Sequence, residues 1–280
     1  MNSALAQVPG RVKTSLSYAE PNDPWFTKLV IHILESLTGK AMLEQKCDLV
    51  LNRDIHPSKI MGDALRELNI KLDFDEKKFA QIPSTGPLIF IANHPFGVVD
   101  GLAMGDLVSR VRSRYSILVN AVLCRNPQLE PFLLPIDFRT IPEATRCNLA
   151  TRQAALSRLA DGEAVAIFPS GAVATAPFPG KDPVDLEWKR FLIKLVAQSD
   201  ATVIPLYFHG RNSFWFQLAS YIHLNLRLGL LLHEVRNKMN RPIRVTIGDP
   251  ITPEILKTKK PNQDLLPFLR EVTLSLGAVK

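Results

Sequence analysis

The sequence PLIFIANHPFGVVDG spans residues 87–101 and places a strand, a turn and the start of a helix in immediate succession. Its first seven residues, PLIFIAN (87–93), are an apolar run of strand length, and Pro95 and Gly97 then mark a turn. A helix is predicted to follow over 101–112. The alternation continues, with predicted strands at 116–119, 164–168, 202–208 and 243–248 and predicted helices at 143–160, 184–198, 213–237 and 262–276. Apolar strands that alternate with helices are typical of sheets covered on both faces, so we predict an α/β fold with a mainly parallel central sheet flanked by helices.

The chain before this strand has a different character. Residues 1–24 are polar and contain three prolines, so we expect a loose N-terminal arm. Residues 25–82 are predicted to form an N-terminal helical portion. The turn-forming sequence PSTG (83–86) marks its boundary with an α/β domain over 83–280.

The first predicted helix is strongly amphipathic. Trp25, Phe26, Leu29 and Ile33 share one face at helical spacing. That face either packs against the core or lies in a bilayer interface with Trp25 at headgroup depth, and the sequence leaves both interpretations open. The second interpretation makes 25–82 a membrane-docking portion.

Composition and charge narrow the classes of partner. The 280 residues are 46% apolar, which supports a large core and excludes a disordered chain. A formal net charge of +7 indicates an anionic partner: nucleic acid, phosphorylated metabolite or lipid headgroup. The basic residues are dispersed and match no nucleic-acid-binding motif, so no nucleic acid is expected as a partner.

Cysteine usage and the N-terminal sequence bear on the compartment. Cys47, Cys124 and Cys147 form an odd set without CxxC spacing, so neither a disulfide framework nor a metal site is predicted. The N-terminal residues lack the apolar segment of a signal peptide, and no stretch reaches the ~18 apolar residues of a membrane span. We expect a protein of a reducing compartment without a transmembrane span.

The turn after the first strand is the first candidate site. In open α/β sheets ligands bind beyond the carboxyl ends of the strands, which makes the residues after each strand the candidates. His94 follows the strand and Asp100 begins the helix, so imidazole and carboxylate could form a proton-transfer pair. The alternative makes His94 a turn residue bonded to the local backbone and Asp100 a helix cap, and spacing alone does not decide between them.

Two further junctions follow later strands. The small-residue loop Phe168-Pro169-Ser170-Gly171 lets backbone N–H groups approach a phosphate or an oxyanion, although it lacks the first glycine of a GxSxG nucleophile elbow. The third junction, HGRNS (209–213), offers Arg211 to an anionic group.

The order of these motifs resembles that of the lysophospholipid acyltransferase superfamily, related to the 1-acylglycerol-3-phosphate acyltransferases. NHPFGVVD (93–100) is similar to the family motif NHxSxxD with one additional residue, and PIDFR (135–139) to its hydrophobic-Asp-Arg motif. FPSGAVA (168–174) is similar to FPEGTRS, with serine in place of glutamate and no arginine, and VIPL (203–206) to the fourth motif. The resemblance covers about residues 25–251 and is closest to the bacterial branch of lyso-ornithine-lipid acyltransferases and proteins labelled hemolysins.

This resemblance implies that 83–280 is an acyltransferase domain acting in membrane lipid biosynthesis. It would move a fatty acyl group from acyl-ACP or acyl-CoA to the free hydroxyl of a lysolipid, with these thioesters as co-substrates and no bound cofactor. His94 would be the general base and Asp100 would orient its imidazole. The residues implied in substrate binding are Asn93, Pro95, Phe96, Gly97, Arg139, Phe168, Pro169, Ser170, Gly171 and Arg211.

The implied setting is the cytoplasmic face of the bacterial inner membrane. There Trp25, Phe26, Leu29 and Ile33 would dock a peripheral, monotopic protein on an anionic membrane surface, and acyl carrier protein is a possible partner. Two alternatives stay open: a hydrolase of lysolipids or thioesters that uses the same site, and a non-catalytic peripheral lipid-binding protein.

Overall fold

The computed structural model describes residues 16, 24–37, 39–120, 127–137, 139, 141–178, 180–222, 224–260 and 263–278. The predicted arm over 1–24 lies outside these residues except for positions 16 and 24, and Cys124 lies outside them as well.

One central sheet organises the described part of the chain. Its seven strands run in the order β1-β7-β6-β2-β5-β3-β4, and every pair is parallel except β6 with β7. The predicted α/β class with a mainly parallel sheet is therefore confirmed. The strands are β1 (Lys71–Asp73), β2 (Leu88–Ala92), β3 (Tyr115–Asn120), β4 (Leu133–Ile136), β5 (Ala164–Ile167), β6 (Thr202–Phe208) and β7 (Pro242–Ile247).

Strand β2 is buried on both faces because every residue from Leu88 to Ala92 is apolar. Leu88, Phe90 and Ala92 face one hydrophobic core, while Ile89 and Ile91 face the other. All five residues have no exposed surface. This burial explains the continuous apolar run in the sequence, since a strand covered on both sides has no polar face.

Helices cover both faces of the sheet. Helices α2, α3, α5 and α9 contribute to the core on one face, and α6, α7, α10 and α11 to the core on the other. Helices α1 and α8 both pack against α9. The helices are α1 (Trp25–Leu37), α2 (Lys40–Leu51), α3 (Ile60–Glu67), α4 (Glu76–Phe79), α5 (Val98–Val111), α6 (Pro142–Ala160), α7 (Phe191–Ala197), α8 (Phe214–Ile222), α9 (Leu224–Lys238), α10 (Pro253–Lys257) and α11 (Leu265–Ser275).

The structure departs from the predicted elements where tertiary contacts override local pattern. The helix predicted over 184–198 begins only at Phe191, because Val184 forms a β-bridge with Thr175 and Lys189 N–H donates to the Pro169 carbonyl. The helical stretch predicted over 213–237 is two helices, α8 and α9.

Three short elements were not predicted. Strand β1 lies inside the predicted N-terminal helical portion, yet it pairs with β7 in the central sheet. Strand β4 has only four residues and contains Pro135, which edge strands tolerate. Helix α10 has five residues. In the part of the chain described here, no helix is both long and apolar enough to cross a membrane.

Candidate active site

The loops that follow β2, β5 and β6 lie together at the carboxyl ends of these strands. These three strands are neighbours and parallel, so their carboxyl ends lie side by side. Asn93, the first residue after β2, joins two of the loops: its Nδ2 donates to the Phe208 carbonyl at 3.0 Å, and its Oδ1 accepts from Phe208 N–H at 2.7 Å. The three junctions singled out in the sequence therefore belong to one site.

His94 and Asp100 form a hydrogen-bonded pair in this site. His94 Nδ1 lies 2.8 Å from Asp100 Oδ2. The Asp100 side chain is fully buried, whereas 16% of the His94 side-chain surface is exposed. Because Nδ1 is engaged by the carboxylate, Nε2 is the ring nitrogen left to exchange a proton with a substrate.

Asp100 also organises the turn that leads into α5. Its carboxylate accepts from Phe96 N–H at 2.9 and 3.0 Å and from Gly97 N–H at 3.2 Å. Pro95 is buried in the same turn. The two interpretations left open by the sequence are thus not exclusive, since Asp100 caps the helix and binds the imidazole at once.

Gly97 is required at the first position before α5. Its φ of 94° and ψ of −111° lie in a region that only glycine adopts readily. A Cβ atom there would sit 3.0 Å from Leu231 Cδ2 of α9 and 3.2 Å from Val173 Cγ2. The backbone must take this conformation to bring Asp100 back under the His94 ring.

The ring and the backbone of His94 are held by the second loop. The imidazole stacks on the Phe168 ring with centroids 4.2 Å apart and planes 22° from parallel. Ala174 N–H donates to the His94 carbonyl at 2.7 Å. These contacts leave the imidazole little freedom to rotate away from Asp100.

Asp185 is part of the site, and sequence reasoning missed it. Its Oδ1 accepts from His94 N–H at 3.1 Å and its Oδ2 from Trp188 Nε1–H at 2.7 Å. Burial raises the pKa of the Asp185 carboxyl, and the hydrogen bonds from Trp188 and His94 partly oppose that shift. No local signal marks this residue, because its partner His94 lies 91 positions earlier in the chain.

The Ser170 hydroxyl is shared between its own loop and the Asp185 carboxyl, whose pKa it helps to lower. Ser170 is buried, and its Oγ donates to the Ala172 carbonyl at 3.0 Å. Gly171 N–H donates to the Phe168 carbonyl, and the Pro169 carbonyl accepts from Lys189 N–H. This loop therefore presents a rigid backbone to the site, and its serine is not hydrogen-bonded to His94.

Phe96 is covered by the loop that follows β6. Gly210 has a φ of 121°, and a Cβ atom on it would lie 2.7 Å from Phe96 Cζ. Asn212 Nδ2 donates to the Phe96 carbonyl at 3.3 Å, and Lys238 Nζ of α9 lies 4.9 Å from the ring centroid. Phe96 is 3% exposed, so these contacts bury it and fix the turn that carries His94.

The two arginines expected at the substrate lie at the margins of the site. Arg139 follows β4, three strands from β2, or about 14 Å across the sheet. Its Nε and Nη2 bind the Asp137 carboxylate at 3.0 and 2.6 Å, which lowers the pKa of that carboxyl. Arg211 is nearer, on the loop after β6, where it pairs with Asp182 and lines a cavity of about 160 Å³ with Lys181 and Asn212.

A metal site is not evident among the residues that the structure describes, since no three His, Cys, Asp or Glu side chains there are grouped to hold an ion. What the arrangement offers chemically is a buried carboxylate and an oriented imidazole. These parts suit proton transfer to and from a substrate hydroxyl.

Comparison with known proteins identifies the family of the chain. A family model described as acyltransferase matches residues 47–278. The lyso-glycine lipid O-acyltransferase of Phocaeicola vulgatus is 28% identical over 213 residues, which cover 71% of this chain and 72% of that protein. The protein of the same name from Bacteroides thetaiotaomicron is 28% identical over 215 residues, covering 71% of this chain and 74% of that protein. Because the family model spans more than three quarters of its length, the chain belongs to this acyltransferase family.

Proposed function

We propose that this acyltransferase is a lysolipid O-acyltransferase of membrane lipid biosynthesis, which moves a fatty acyl group from a thioester donor to a free hydroxyl. The observation that carries the proposal is the 2.8 Å contact between His94 and a fully buried Asp100, at the carboxyl end of the central strand of an acyltransferase fold. The two relatives that act on a lyso-glycine lipid support a lysolipid as acceptor.

In the proposed mechanism His94 is the general base. Nε2 takes the proton of the acceptor hydroxyl as its oxygen attacks the thioester carbonyl, forming the new ester C–O bond. Asp100 holds the Nδ1–H tautomer and stabilises the imidazolium. The tetrahedral intermediate then expels the thiolate, which receives the proton from His94. The C–S bond breaks, no acyl-enzyme forms, and the products are an ester and a thiol.

We propose acyl-ACP or acyl-CoA as the donor, since both present the acyl group as a thioester. For the acceptor we propose a lysolipid with an amino-acid headgroup, of the kind named for the relatives. Phe96, Phe168 and Pro95 are buried apolar residues beside His94. An acyl chain that binds against apolar side chains gains about 0.8 kcal/mol for each buried CH₂.

The experiment incubates purified protein with each donor and a panel of lyso-glycine lipid, lyso-ornithine lipid and lysophosphatidate, and identifies products by mass. We expect a doubly acylated lipid, and a rate reduced about 10²- to 10⁴-fold in His94→Ala. His56→Ala is the matched control. His56 caps a short helix that contains Ser58, and the Ser58 carbonyl accepts a hydrogen bond from the hydroxyl of Tyr115. Tyr115 is at the amino end of β3, whereas the site lies at the carboxyl ends of the strands.

Three results would overturn the proposal. Free fatty acid without acylated lipid indicates the hydrolase. Lipid binding without turnover indicates a non-catalytic lipid-binding protein. Full activity in folded His94→Ala removes the general base from the mechanism.

We further propose that helices α1 and α8 dock the protein as a peripheral protein on the anionic cytoplasmic face of the inner membrane. Trp25 and Phe26 on α1 are 75% and 61% exposed, and Leu29 and Ile33 are exposed as well. On α8 the exposed side chains include Trp215, at 64%. Both helices pack against α9, which also contacts the turn before α5, so the apolar faces lie beside the site.

Vesicle flotation tests this docking. The variant Trp25→Ser, Phe26→Ser and Leu29→Ser should lose most binding to vesicles that contain anionic lipid. The matched control is Leu149→Ser with Ile255→Ser, because these are exposed apolar residues on α6 and α10, which cover the other face of the sheet. Equal binding by the folded triple variant and the control would contradict a docking role for α1.

A further inference from the structure

Helix α9 presents a continuous stripe of side chains to the candidate active site. Leu231 reaches Gly97, Glu234 Oε2 accepts from Ser213 N–H at 3.0 Å, and Lys238 lies over the Phe96 ring. Arg227 stands four residues before Leu231 and therefore belongs to the same stripe, one turn towards the N-terminus of α9. None of the sequence motifs includes this arginine.

Arg227 is a partly buried cation without an acidic partner among the described residues. Its Nη2 donates to the Val173 carbonyl at 3.1 Å, and its guanidinium carbon lies 5.8 Å from the centroid of the buried Phe216 ring. Burial lowers its pKa, and no carboxylate of the residues described by the structure opposes that shift. A guanidinium has five N–H donors, so most of its hydrogen-bonding capacity is left for a ligand.

The guanidinium is connected to the His94 backbone through a single peptide group. Val173 is followed by Ala174, whose N–H donates to the His94 carbonyl at 2.7 Å. With a peptide O-to-N separation of roughly 2.3 Å, this connection puts Arg227 Nη2 within about 8 Å of the His94 carbonyl oxygen. Val173 also occupies the position at which the motif FPEGTRS carries its arginine, so α9 brings a guanidinium to a loop whose own sequence lacks one.

We propose that Arg227 binds the carboxylate of the acceptor lysolipid and thereby sets its headgroup specificity. The inference rests on the proposed function and names the chemistry of its acceptor. Glycine acylated on its nitrogen keeps one carboxylate, and a guanidinium binds a carboxylate through two parallel hydrogen bonds. The headgroup is then held on the α9 side of the site, while the hydroxyl of the same molecule lies at His94.

The test compares Arg227→Gln and Arg227→Lys with two synthetic acceptors, N-(3-hydroxypalmitoyl)glycine and its neutral glycinamide. With the carboxylate acceptor, kcat/KM should fall about 10- to 100-fold in Arg227→Gln and less in Arg227→Lys. With the amide, the variants and wild type should agree within about threefold, because this headgroup carries no negative charge to pair with the guanidinium and offers a single oxygen in place of two. KM for the thioester donor should not change.

Arg112→Gln is the matched control. Arg112 is also partly buried, its pKa is also lowered by burial, and it donates to the backbone carbonyls of Val111 and Gly86. It lies at the C-terminal end of α5, away from the site. This variant should keep wild-type kcat/KM with both acceptors.

The outcomes separate this inference from the proposed function. Equal losses with both acceptors, or a raised donor KM alone, would overturn carboxylate binding by Arg227 while acyl transfer stands. A wild-type protein that acylates neither these acceptors nor any other lysolipid would overturn the proposed function itself, and the inference with it.

Discussion

Replacement of Asp100 by asparagine tests its two roles, which are to orient the His94 imidazole and to accept hydrogen bonds from the backbone of the turn before α5. In the wild type, Oδ2 faces His94 Nδ1 at 2.8 Å and also accepts from Phe96 N–H at 2.9 Å and Gly97 N–H at 3.2 Å, while Oδ1 accepts from Phe96 N–H at 3.0 Å. An asparagine keeps only one of these two acceptors. If its amide nitrogen takes the position of Oδ1, it meets the Phe96 N–H group and two donors oppose each other.

The other orientation changes the tautomer of His94. The amide N–H₂ then faces the Phe96 and Gly97 N–H groups as well and donates to Nδ1, so the proton of the neutral imidazole moves to Nε2, where it blocks acceptance of the substrate proton. We expect kcat/KM to fall about 10²- to 10⁴-fold, the range for loss of a positioned general base. Loss of one buried hydrogen bond to a charged group should also lower the free energy of unfolding by about 1.5–3 kcal/mol.

The assay measures acylated product under single-turnover conditions for wild type, His94→Ala, Asp100→Asn and the double variant, with folding checked by urea unfolding. Because the two side chains act as a unit, the double variant should lose little more activity than His94→Ala alone. A folded Asp100→Asn protein within threefold of wild-type activity would refute the tautomer argument. Strictly additive losses would refute the coupling.

Three further predictions concern the surroundings of this pair. Gly97→Ala should destabilise the fold by about 1–3 kcal/mol in urea unfolding, because alanine is strained at this φ and ψ; an unchanged midpoint contradicts this. Asn93→Ala should lower the free energy of unfolding by about 1–3 kcal/mol in the same assay, because the buried N–H and carbonyl of Phe208 lose their partner. A smaller loss would contradict a stabilising role for the Asn93 link between β2 and β6. Burial lowers the pKa of His209 below its ordinary 6.5, so the unfolded chain takes up this proton at a higher pH than the folded chain, and the free energy of unfolding falls as pH drops below 6.5. His209→Asn should make the free energy of unfolding less dependent on pH in this range. An unchanged pH dependence would assign the effect to other groups.

The central strands were predictable from sequence because their environment is uniform. A strand such as β2, buried on both faces, needs an unbroken apolar run, and that run is visible without any knowledge of its neighbours. Strands β1 and β4 lie at the edges of the sheet and are three and four residues long. Their formation depends on pairing with β7 and β3, so their local sequence carries little signal.

In the segment 184–190 the local sequence predicts a helix that the structure does not form. Hydrogen bonds to the carbonyls of Thr175 and Pro169 and the burial of Asp185 hold this segment in a non-helical conformation. The free energy of those distant contacts exceeds the weak helical preference of a short segment. This same exception brings Asp185 to the backbone of His94.

The sequence by itself determined the α/β alternation and the short connection between His94 and Asp100. The two residues are six positions apart, and a strand end, a glycine turn and a helix start fix their geometry through local backbone bonds. Only the tertiary structure decided that Arg139 lies three strands from β2, that Asp185 binds the His94 backbone and that Arg227 binds the Val173 carbonyl. Such contacts follow from the order of strands in the sheet and from the packing of α9 on the turn, and neither is encoded in the residues adjacent to the motif.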